Sequence, residues 1–428
     1  MKKPLYILIA SLSLTFVLLL TIILGARKSP QLSQDIQLHD TQIEVRLMTS
    51  WGGFDPKADE LDRLIEVFET RHPHIRVLNE SMYGEDYLYI LKTDFASGNA
   101  PDVFGLWPGS DRAHLIEGGH IADLTEVLNN DVEWKSRFRS DILDYAKQDD
   151  NVYSLPMEMI AEGLYINRDL FERYEIKEPE DYKELLDAVD GFNKVGITPI
   201  AFNITPEGSF LYQNIVARLG GKEWTENPLD SEGNIRESYV LGLYYLKELY
   251  DRDAFSKNDF VQDDISRNRM FADKEAAMIV QGSWFSPTTK DEEEASYEVI
   301  PFPRMPNMAS REKAIIYGIG NGNFHISQST WNVEEKRMAS LELLKFLTSK
   351  EAVQILSEHQ GFIGSLNVGS KRNTKIESYI LSAEEWIGPP DHYIDRSFWE
   401  GQLVKQIPLV LEGRIKPEAI FEHYTDER

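Results

Sequence analysis

The sequence predicts an α/β fold, because strand and helix patterns alternate along most of its 428 residues. The clearest example is a βαβ unit whose strands lie at Val45–Thr49 and Ile75–Leu78. Between the strands, apolar residues recur with the spacing of one helical face. These residues are Leu61, Leu64, Ile65 and Phe68. The first strand runs into Trp51 and two glycines, which places this tryptophan at the sheet edge where open α/β folds bind ligands.

Strand and helix patterns continue to alternate in the rest of the chain. A single hydrophobic core rarely extends over a chain of this length, so two domains are expected. Pro408 predicts a break or kink in the last helix, because proline has no N–H to donate. The predicted later strands are Val152–Pro156, Gly163–Ile166, Gly196–Phe202 and a turn and strand over Phe271–Ile279, and the predicted later helices are 333–356 and 397–411.

Charge and composition exclude several kinds of function. The chain has 71 acidic and 45 basic residues, a net charge of −26, which disfavours binding to nucleic acids. It contains no cysteine, so disulfides, thiol nucleophiles and cysteine-based metal sites are excluded. His72 and His74 flank Pro73 in a predicted surface turn, and no metal site is expected there. No catalytic motif is present, and no cofactor is expected.

The amino terminus predicts a membrane anchor. Lys2 and Lys3 precede a nearly continuous apolar run from Leu5 to Gly25. A helix of that length rises about 30 Å and crosses a bilayer core, whereas the apolar region of a secretory signal has roughly 7–15 residues. Residues 1–27 are therefore predicted to form an uncleaved transmembrane signal anchor, and residues 28–42 a tether. The alternative is a cleaved signal and a secreted protein.

Several longer motifs follow one another in a specific order. They include TSWGG after the first strand, SGNAPDVFGLW, VYSLPMEMIAEGLYINRDLF, MFADKEAAMIVQGSWF and FWEGQLVKQIPLVLEGRIKPEAI. In this order and spacing they resemble the extracellular solute-binding proteins of ABC sugar importers, a family that includes maltose-binding proteins. The resemblance covers nearly everything after Ile43. It implies a two-lobed, periplasmic-binding-protein-like fold with three inter-lobe crossings, the first lobe being 43–158 plus 318–367 and the second 159–317 plus 368–428.

The resemblance also implies a function. The globular part would lie outside the cell, capture a mono- or oligosaccharide between its lobes, and deliver it to the permease subunits of an ABC importer, acting as a monomer without catalysis. Many family members are lipoproteins, but this chain has no cysteine to carry a lipid, so the helix would tether it to the membrane. Two alternatives remain open: a sugar-sensing subunit for a membrane kinase, and a glycoside hydrolase with two carboxylates about 5–9.5 Å apart.

Candidate ligand contacts follow from sugar chemistry, since sugars stack their C–H faces on aromatic rings and pair their hydroxyls with polar groups. The candidates at first-lobe strand ends and loops are Trp51, Gly53, Tyr83, Trp107 and Phe362. Those at the implied crossings are Glu158, Gly320 and Asn321, and those in the second lobe are Asn203, Trp284 and Trp399. Either Leu106 or Trp107 faces the cleft. Few of these candidates are basic, which favours a neutral saccharide over a uronate.

Some of these residues also have a plain structural interpretation. Trp51 is either a ligand platform or a core residue under its loop, and Glu158 is either a sugar contact or a satisfied structural acid. Trp399 lies on a helix, where aromatic residues usually pack in the core. Phe362 falls where relatives often carry a proline-containing loop, and this chain has Gly364 in place of that proline. Asp102, beside a proline, is expected to bond backbone rather than ligand.

Overall fold

The computed structural model describes residues 42–53, 55, 57–84, 86–285, 297–358, 362–366, 375–422 and 424. The predicted anchor at 1–27, and the tether up to residue 41, lie outside these residues. Among the helices that are described, none is both long and apolar enough to span a membrane.

The strands are short except for one in the middle of the chain. In chain order they are β1 Ile43–Met48, β2 Ile75–Asn79, β3 Val103–Gly105, β4 Lys147–Gln148, β5 Asn151–Val152, β6 Leu155–Pro156, β7 Glu158–Asn167, β8 Thr198–Ala201, β9 Ala276–Gly282, β10 Tyr297–Ile300, β11 Ala314–Ile319, β12 Asn323–Ile326, β13 Ile363–Gly364 and β14 Glu385–Ile387.

The helices alternate with these strands. In chain order they are α1 Ala58–Arg71, α2 Asp86–Ser97, α3 Ser110–Glu117, α4 Thr125–Asn130, α5 Val132–Ser136, α6 Ser140–Tyr145, α7 Arg168–Arg173, α8 Tyr182–Val195, α9 Phe210–Glu226, α10 Glu237–Asp251, α11 Asp264–Ala272, α12 Gln328–Trp331, α13 Glu334–Leu347, α14 Lys350–Leu356, α15 Lys375–Leu381, α16 Arg396–Phe398, α17 Lys405–Leu411 and α18 Pro417–Phe421. Lys257–Val261 and Pro390–His392 form 3₁₀ turns, and Trp399–Val404 is a π-helical turn.

The first sheet has the strand order β2-β1-β3-β12-β6. Strand β1 is parallel to both of its neighbours, and β12 runs antiparallel to β3 and β6. The predicted βαβ unit is confirmed, since all four apolar residues of the α1 stripe are buried. We call this sheet, with the helices packed on it, the first-sheet half; its core includes Val45, Phe68 and Phe324.

The second sheet has the strand order β14-β11-β7-β9-β8, and β10 and β13 also pair with β7. Strand β7 is ten residues long because four other strands bond along its length. This pairing extends the strand predicted at Gly163–Ile166 back to Glu158. We call this sheet and its helices the second-sheet half; its core includes Leu164, Tyr212 and Trp399.

The chain passes between the sheets at two described points. Strand β6 of the first sheet is followed after Met157 by β7 of the second, and β11 of the second sheet is followed after Gly320–Gly322 by β12 of the first. The helical segment predicted at 397–411 is irregular, as Pro408 predicts, but the irregular part precedes the proline. The π-helical turn ends at Val404. In an α-helix the Val404 carbonyl would accept a hydrogen bond from the N–H of residue 408, but Pro408 has no N–H to donate.

Candidate ligand-binding site

A cavity of about 140 Å³ lies where the two halves meet, beside both passages of the chain. The first-sheet half contributes Ser50, Trp51, Asp55, Lys57, Tyr83 and Trp107. The second-sheet half contributes Pro206, Glu207, Phe210, Trp284, Asp391 and Arg396. Glu158, Gly320 and Asn321 line it at the passages themselves. Residues distant in sequence thus form one concave surface with apolar and polar parts, the usual form of a small-molecule site.

Aromatic rings line the cavity on both sides. Leu106 is completely buried, whereas Trp107 is partly exposed and lines the cavity. Of these two neighbours, Trp107 is therefore the one that faces the cleft. On the opposite wall, Trp284 packs edge-on against Phe210, with ring centroids 5.7 Å apart. Burial raises the pKa of Tyr83 to about 12, and the charge of Glu207 from the other half adds to the shift. The aromatic surface is therefore shared between the halves.

Trp51 shows only part of its ring to the cavity. The side chain is 1% exposed, and its ring packs edge-on against Phe324 and Phe362 at centroid distances of 5.8 and 6.3 Å. A Cβ at Gly322 would come within 2.5 Å of the ring, so only glycine permits this approach. Trp51 is thus both a core residue of the first-sheet half and a part of the cavity wall.

Lys57 and Glu158 form a buried ion pair at the floor of the cavity. Lys57 Nζ lies 2.8 Å from Glu158 Oε1 and 3.8 Å from Asp55 Oδ1, and Glu158 Oε2 accepts the Gly322 N–H at 3.0 Å. Burial works to lower the pKa of Lys57, but the charges of Asp55 and Glu158 outweigh it and the pKa is raised. Lys57 is therefore charged, and Glu158 joins the first-sheet half to both passages of the chain.

Glu162 is a buried acid on the second-sheet wall. Its Oε2 accepts the Asn214 amide N–H at 3.0 Å. Burial raises the pKa of Glu162 well above its usual range, and the nearby charge of Asp391 raises it further. A raised pKa favours the protonated form of a carboxyl group, which can donate a hydrogen bond as well as accept one. Glu207, by contrast, is paired with Arg267 at 2.9 Å.

Comparison with known proteins assigns the family. Residues 54–354 match the family model described as bacterial extracellular solute-binding protein. The chain belongs to this family. Its members are binding proteins rather than enzymes, so the hydrolase interpretation loses its basis.

Two relatives are similar to this solute-binding protein along much of their length. An uncharacterised ABC transporter extracellular-binding protein of Pyrococcus horikoshii is 23% identical over 275 residues, and the match covers 62% of each chain. This chain thus spans slightly less than two thirds of that relative. The multiple sugar-binding protein of Streptococcus mutans is 23% identical over 320 residues, covering 69% of each chain.

Two solved structures share the fold of this solute-binding protein. A chitin oligosaccharide binding protein superposes with a TM-score of 0.77 at 21% identity, covering 88% of this chain and 96% of that one. A sugar transporter from Bacillus licheniformis, solved in complex with stachyose, superposes with a TM-score of 0.69 at 18% identity, covering 89% and 97%. At these identities the likeness establishes the mixed α/β, two-lobed fold.

Seven of the eleven candidate contacts line the cavity of the solute-binding protein, and four do not. The seven are Trp51, Tyr83, Trp107, Glu158, Trp284, Gly320 and Asn321. The other four pack nearby. Asn203 is fully buried and donates to Asp264 Oδ1 at 2.9 Å, and Trp399 is in the second core with its Nε1–H directed at Ser209 Oγ, 3.3 Å away. Phe362 packs behind Trp51, and Gly53 has a positive φ of 60° beside Tyr83.

Other residues of the cavity wall were not predicted from the sequence. Asp55 and Lys57 follow Trp51 in the same strand-end loop, so their position could have identified them. Glu162 also left a signal, because it is an acid inside an otherwise apolar strand. Asp391 and Arg396 left none, since only the tertiary fold brings their segment to the cavity.

Two remaining predictions concern residues away from the cavity. Asp102 accepts the Arg46 backbone N–H and the Lys336 ammonium, both at 2.8 Å, which confirms its structural role. His72 Nδ1 lies 2.8 Å from Glu342 Oε2, and His74 lies 3.5 Å from the same atom. No group of three such side chains able to hold a metal ion was found among the described residues.

Proposed function

We propose that this solute-binding protein captures a neutral mono- or oligosaccharide between its lobes and delivers it to the permease of an ABC importer. One observation carries the proposal: aromatic rings from both halves line a single cavity that also holds hydrogen-bonding groups. Trp107 and Tyr83 come from the first-sheet half, and Trp284 and Phe210 from the second. Sugar-binding names among relatives and a stachyose complex among the fold neighbours support the same ligand class.

Binding follows from closure of the two halves on the ligand. The C–H face of a sugar ring stacks on an indole, which contributes about 1 kcal/mol per ring beyond burial of area. The hydroxyls then pair with the Asn321 amide and with Glu162, whose raised pKa favours the protonated form that both donates and accepts. Several such contacts give an affinity in the micromolar range, about −8 kcal/mol, after the costs of ordering.

The lobes of this proposal are 43–158 plus 318–367 and 159–317 plus 368–428. The passages of the chain at Met157 and at Gly320–Gly322 support the first two crossings. The third falls in a segment outside the described residues. Strand β13 pairs with β7 of the second sheet, whereas the adjacent Phe362 packs in the core of the first-sheet half. A segment in which the chain crosses between the lobes is expected to contact both halves in this way.

Charge in the cavity favours a neutral ligand over a uronate. Among the described residues, five acidic side chains line the cavity against two from lysine or arginine. The acids are Asp55, Glu158, Glu162, Glu207 and Asp391, and the bases are Lys57 and Arg396. Both bases already face carboxylates, Lys57 that of Glu158 and Arg396 that of Glu400 at 2.5 Å. An anionic sugar would therefore meet an excess of acidic side chains, while both of these cations already have a carboxylate beside them.

A panel of sugars tests the ligand class. We expect stachyose or a chito-oligosaccharide to raise the melting temperature of the protein more than oligogalacturonate does, because a ligand that binds only the native state stabilises it. The strongest stabilisation by oligogalacturonate would refute the neutral-ligand proposal. Mass spectrometry of small molecules that remain bound during purification would identify the natural ligand independently.

Membrane attachment and partner need separate measurements. In the proposal the 1–27 segment stays in place as an anchor, and the monomeric globular part works outside the cell beside the permease. Membrane fractionation and the mass of the mature amino terminus distinguish an anchored protein from a cleaved, secreted one. Co-purification with permease subunits rather than with a membrane kinase supports import over sensing.

A further inference from the structure

Arg396 reaches from the second-sheet half to the first. It begins α16, and the residues on either side, Ile394 and Phe398, belong to the core of the second-sheet half. Its backbone N–H donates to Ser110 Oγ at 2.9 Å, and its Nε lies 3.5 Å from Asp111 Oδ2. Ser110 and Asp111 open α3 of the first-sheet half. One residue thus contacts the opposite half with both its backbone and its side chain.

The same guanidinium group lies over the ring of Trp107. Its central carbon is 5.0 Å from the ring centroid, within the range of a cation–π interaction. On the first-sheet side, the Trp107 ring lies 6.5 Å from that of Tyr87. The indole of Trp107 therefore contacts residues of both halves.

The charges around this contact are balanced and partly buried. Asp111 also accepts Lys92 Nζ at 2.6 Å, and Arg396 also pairs with Glu400 at 2.5 Å. The side chains of Arg396 and Asp111 are only 12% and 14% exposed. Salt screens such a pair less than a surface pair, so its contribution to the closeness of the halves persists at physiological ionic strength.

We propose that Arg396 is a positioning residue that couples the orientation of Trp107 to the approach of the two halves. The part of this proposal that concerns ligand rests on the proposed function, in which Trp107 stacks on the sugar. Because linkage is reciprocal, a ligand that stacks on a correctly oriented Trp107 favours the arrangement in which Arg396 contacts Asp111. Arg396 therefore affects ligand binding through Trp107 and the contact between the halves, and not through a contact of its own with the ligand.

A distance measurement without any ligand tests the coupling. The chain has no cysteine, so Glu126→Cys in the first-sheet half and Lys194→Cys in the second, both exposed, carry spin labels without competing thiols. In the full chain, we expect Arg396→Met to shift the distance between labels to longer or broader values. Arg252→Met is the matched control, because it removes an ion pair with Asp190 inside one half. Identical distance distributions for Arg396→Met and its parent would overturn the proposal.

A double-mutant cycle tests the action through Trp107. With stachyose as the titrant, Arg396→Met and Trp107→Ala are each expected to weaken binding about five- to tenfold. Together they should weaken it no more than Trp107→Ala alone, and Arg396→Lys should restore part of the loss, since lysine keeps the charge but not the planar fork. Additive losses would show that Arg396 does not act through Trp107. If the parent binds no sugar, the proposed function fails, while the distance experiment still decides the role of Arg396.

Discussion

Trp51 and Trp107 occupy equivalent places in the sequence pattern, each just past a strand of the first sheet, yet their surroundings differ. Trp51 is enclosed by its own half, between Phe324 and Phe362 and against Gly322. Trp107 is partly exposed and meets Arg396 of the other half. The first region is fixed by the core whether or not the halves approach, whereas the second depends on their approach. A strand-end tryptophan therefore does not by itself indicate how a site works.

The largest expected effect on the region around Trp51 comes from substitution of Lys57. Lys57→Met leaves the Glu158 carboxylate buried without its partner, and we expect the free energy of unfolding to fall by about 3–5 kcal/mol. Urea denaturation measures the loss. The double variant Lys57→Met/Glu158→Gln removes both charges and should recover much of the stability. Equal losses in the single and double variants would mean that charge burial is not the cause.

Substituting each tryptophan by alanine sharpens the comparison directly. Trp51→Ala opens a cavity in the first core and should cost about 3–5 kcal/mol of unfolding free energy. Trp107→Ala removes a partly exposed ring, so its cost in stability should be clearly smaller while sugar affinity falls about tenfold. Denaturation and calorimetric titration on the same samples separate the two effects. The comparison is wrong if Trp107→Ala unfolds the protein as readily as Trp51→Ala.

Gly322→Ala tests how tightly Trp51 is enclosed. The added Cβ would lie 2.5 Å from the Trp51 ring and 2.6 Å from Glu158 Cβ, too close for either to remain in place. We expect overpacking to cost about 1–3 kcal/mol, measured as a shift in the urea midpoint. Gly98→Ala is unsuitable as a control because of its positive φ, but Gly401→Ala, with open space around the new Cβ, should be close to neutral. Equal costs at Gly322 and Gly401 would contradict the tight packing.

The smallest expected effect, when it is taken over a single pH unit, is a dependence of stability on pH. The folded-state pKa of Glu162 is raised above that of the unfolded chain, so native Glu162 keeps a proton that the unfolded chain releases. The contribution of Glu162 to the free energy of unfolding is fully present when the pH is below the pKa of the unfolded chain. It is lost as the pH rises through the pKa of the folded state, by at most about 1.4 kcal/mol per pH unit. Glu162→Gln should therefore gain stability relative to the parent as the pH rises from about 4.3. A constant difference across denaturation curves at several pH values would refute the raised pKa.

Much of the secondary structure could be predicted from local sequence patterns. The α1 stripe and strands β1 and β2 were predicted close to their observed bounds, because periodic burial is a local property. Strand β7 was predicted too short, since its extension to Glu158 depends on neighbours from distant parts of the chain. The irregular part of the segment predicted at 397–411 was expected near Pro408, and the π-helical turn lies just before it, at Trp399–Val404.

The sequence by itself determined the alternation of strands and helices, the strand-end tryptophans and the exclusion of thiol chemistry, and its charge disfavoured nucleic-acid binding. These follow from residue type and spacing, which act over a few residues. Only the tertiary structure decided that Trp51 is enclosed, that Glu158 is already paired with Lys57, and that Arg396 meets Trp107. Each of these contacts joins residues far apart along the chain, and their free energies exist only once the two sheets have packed together.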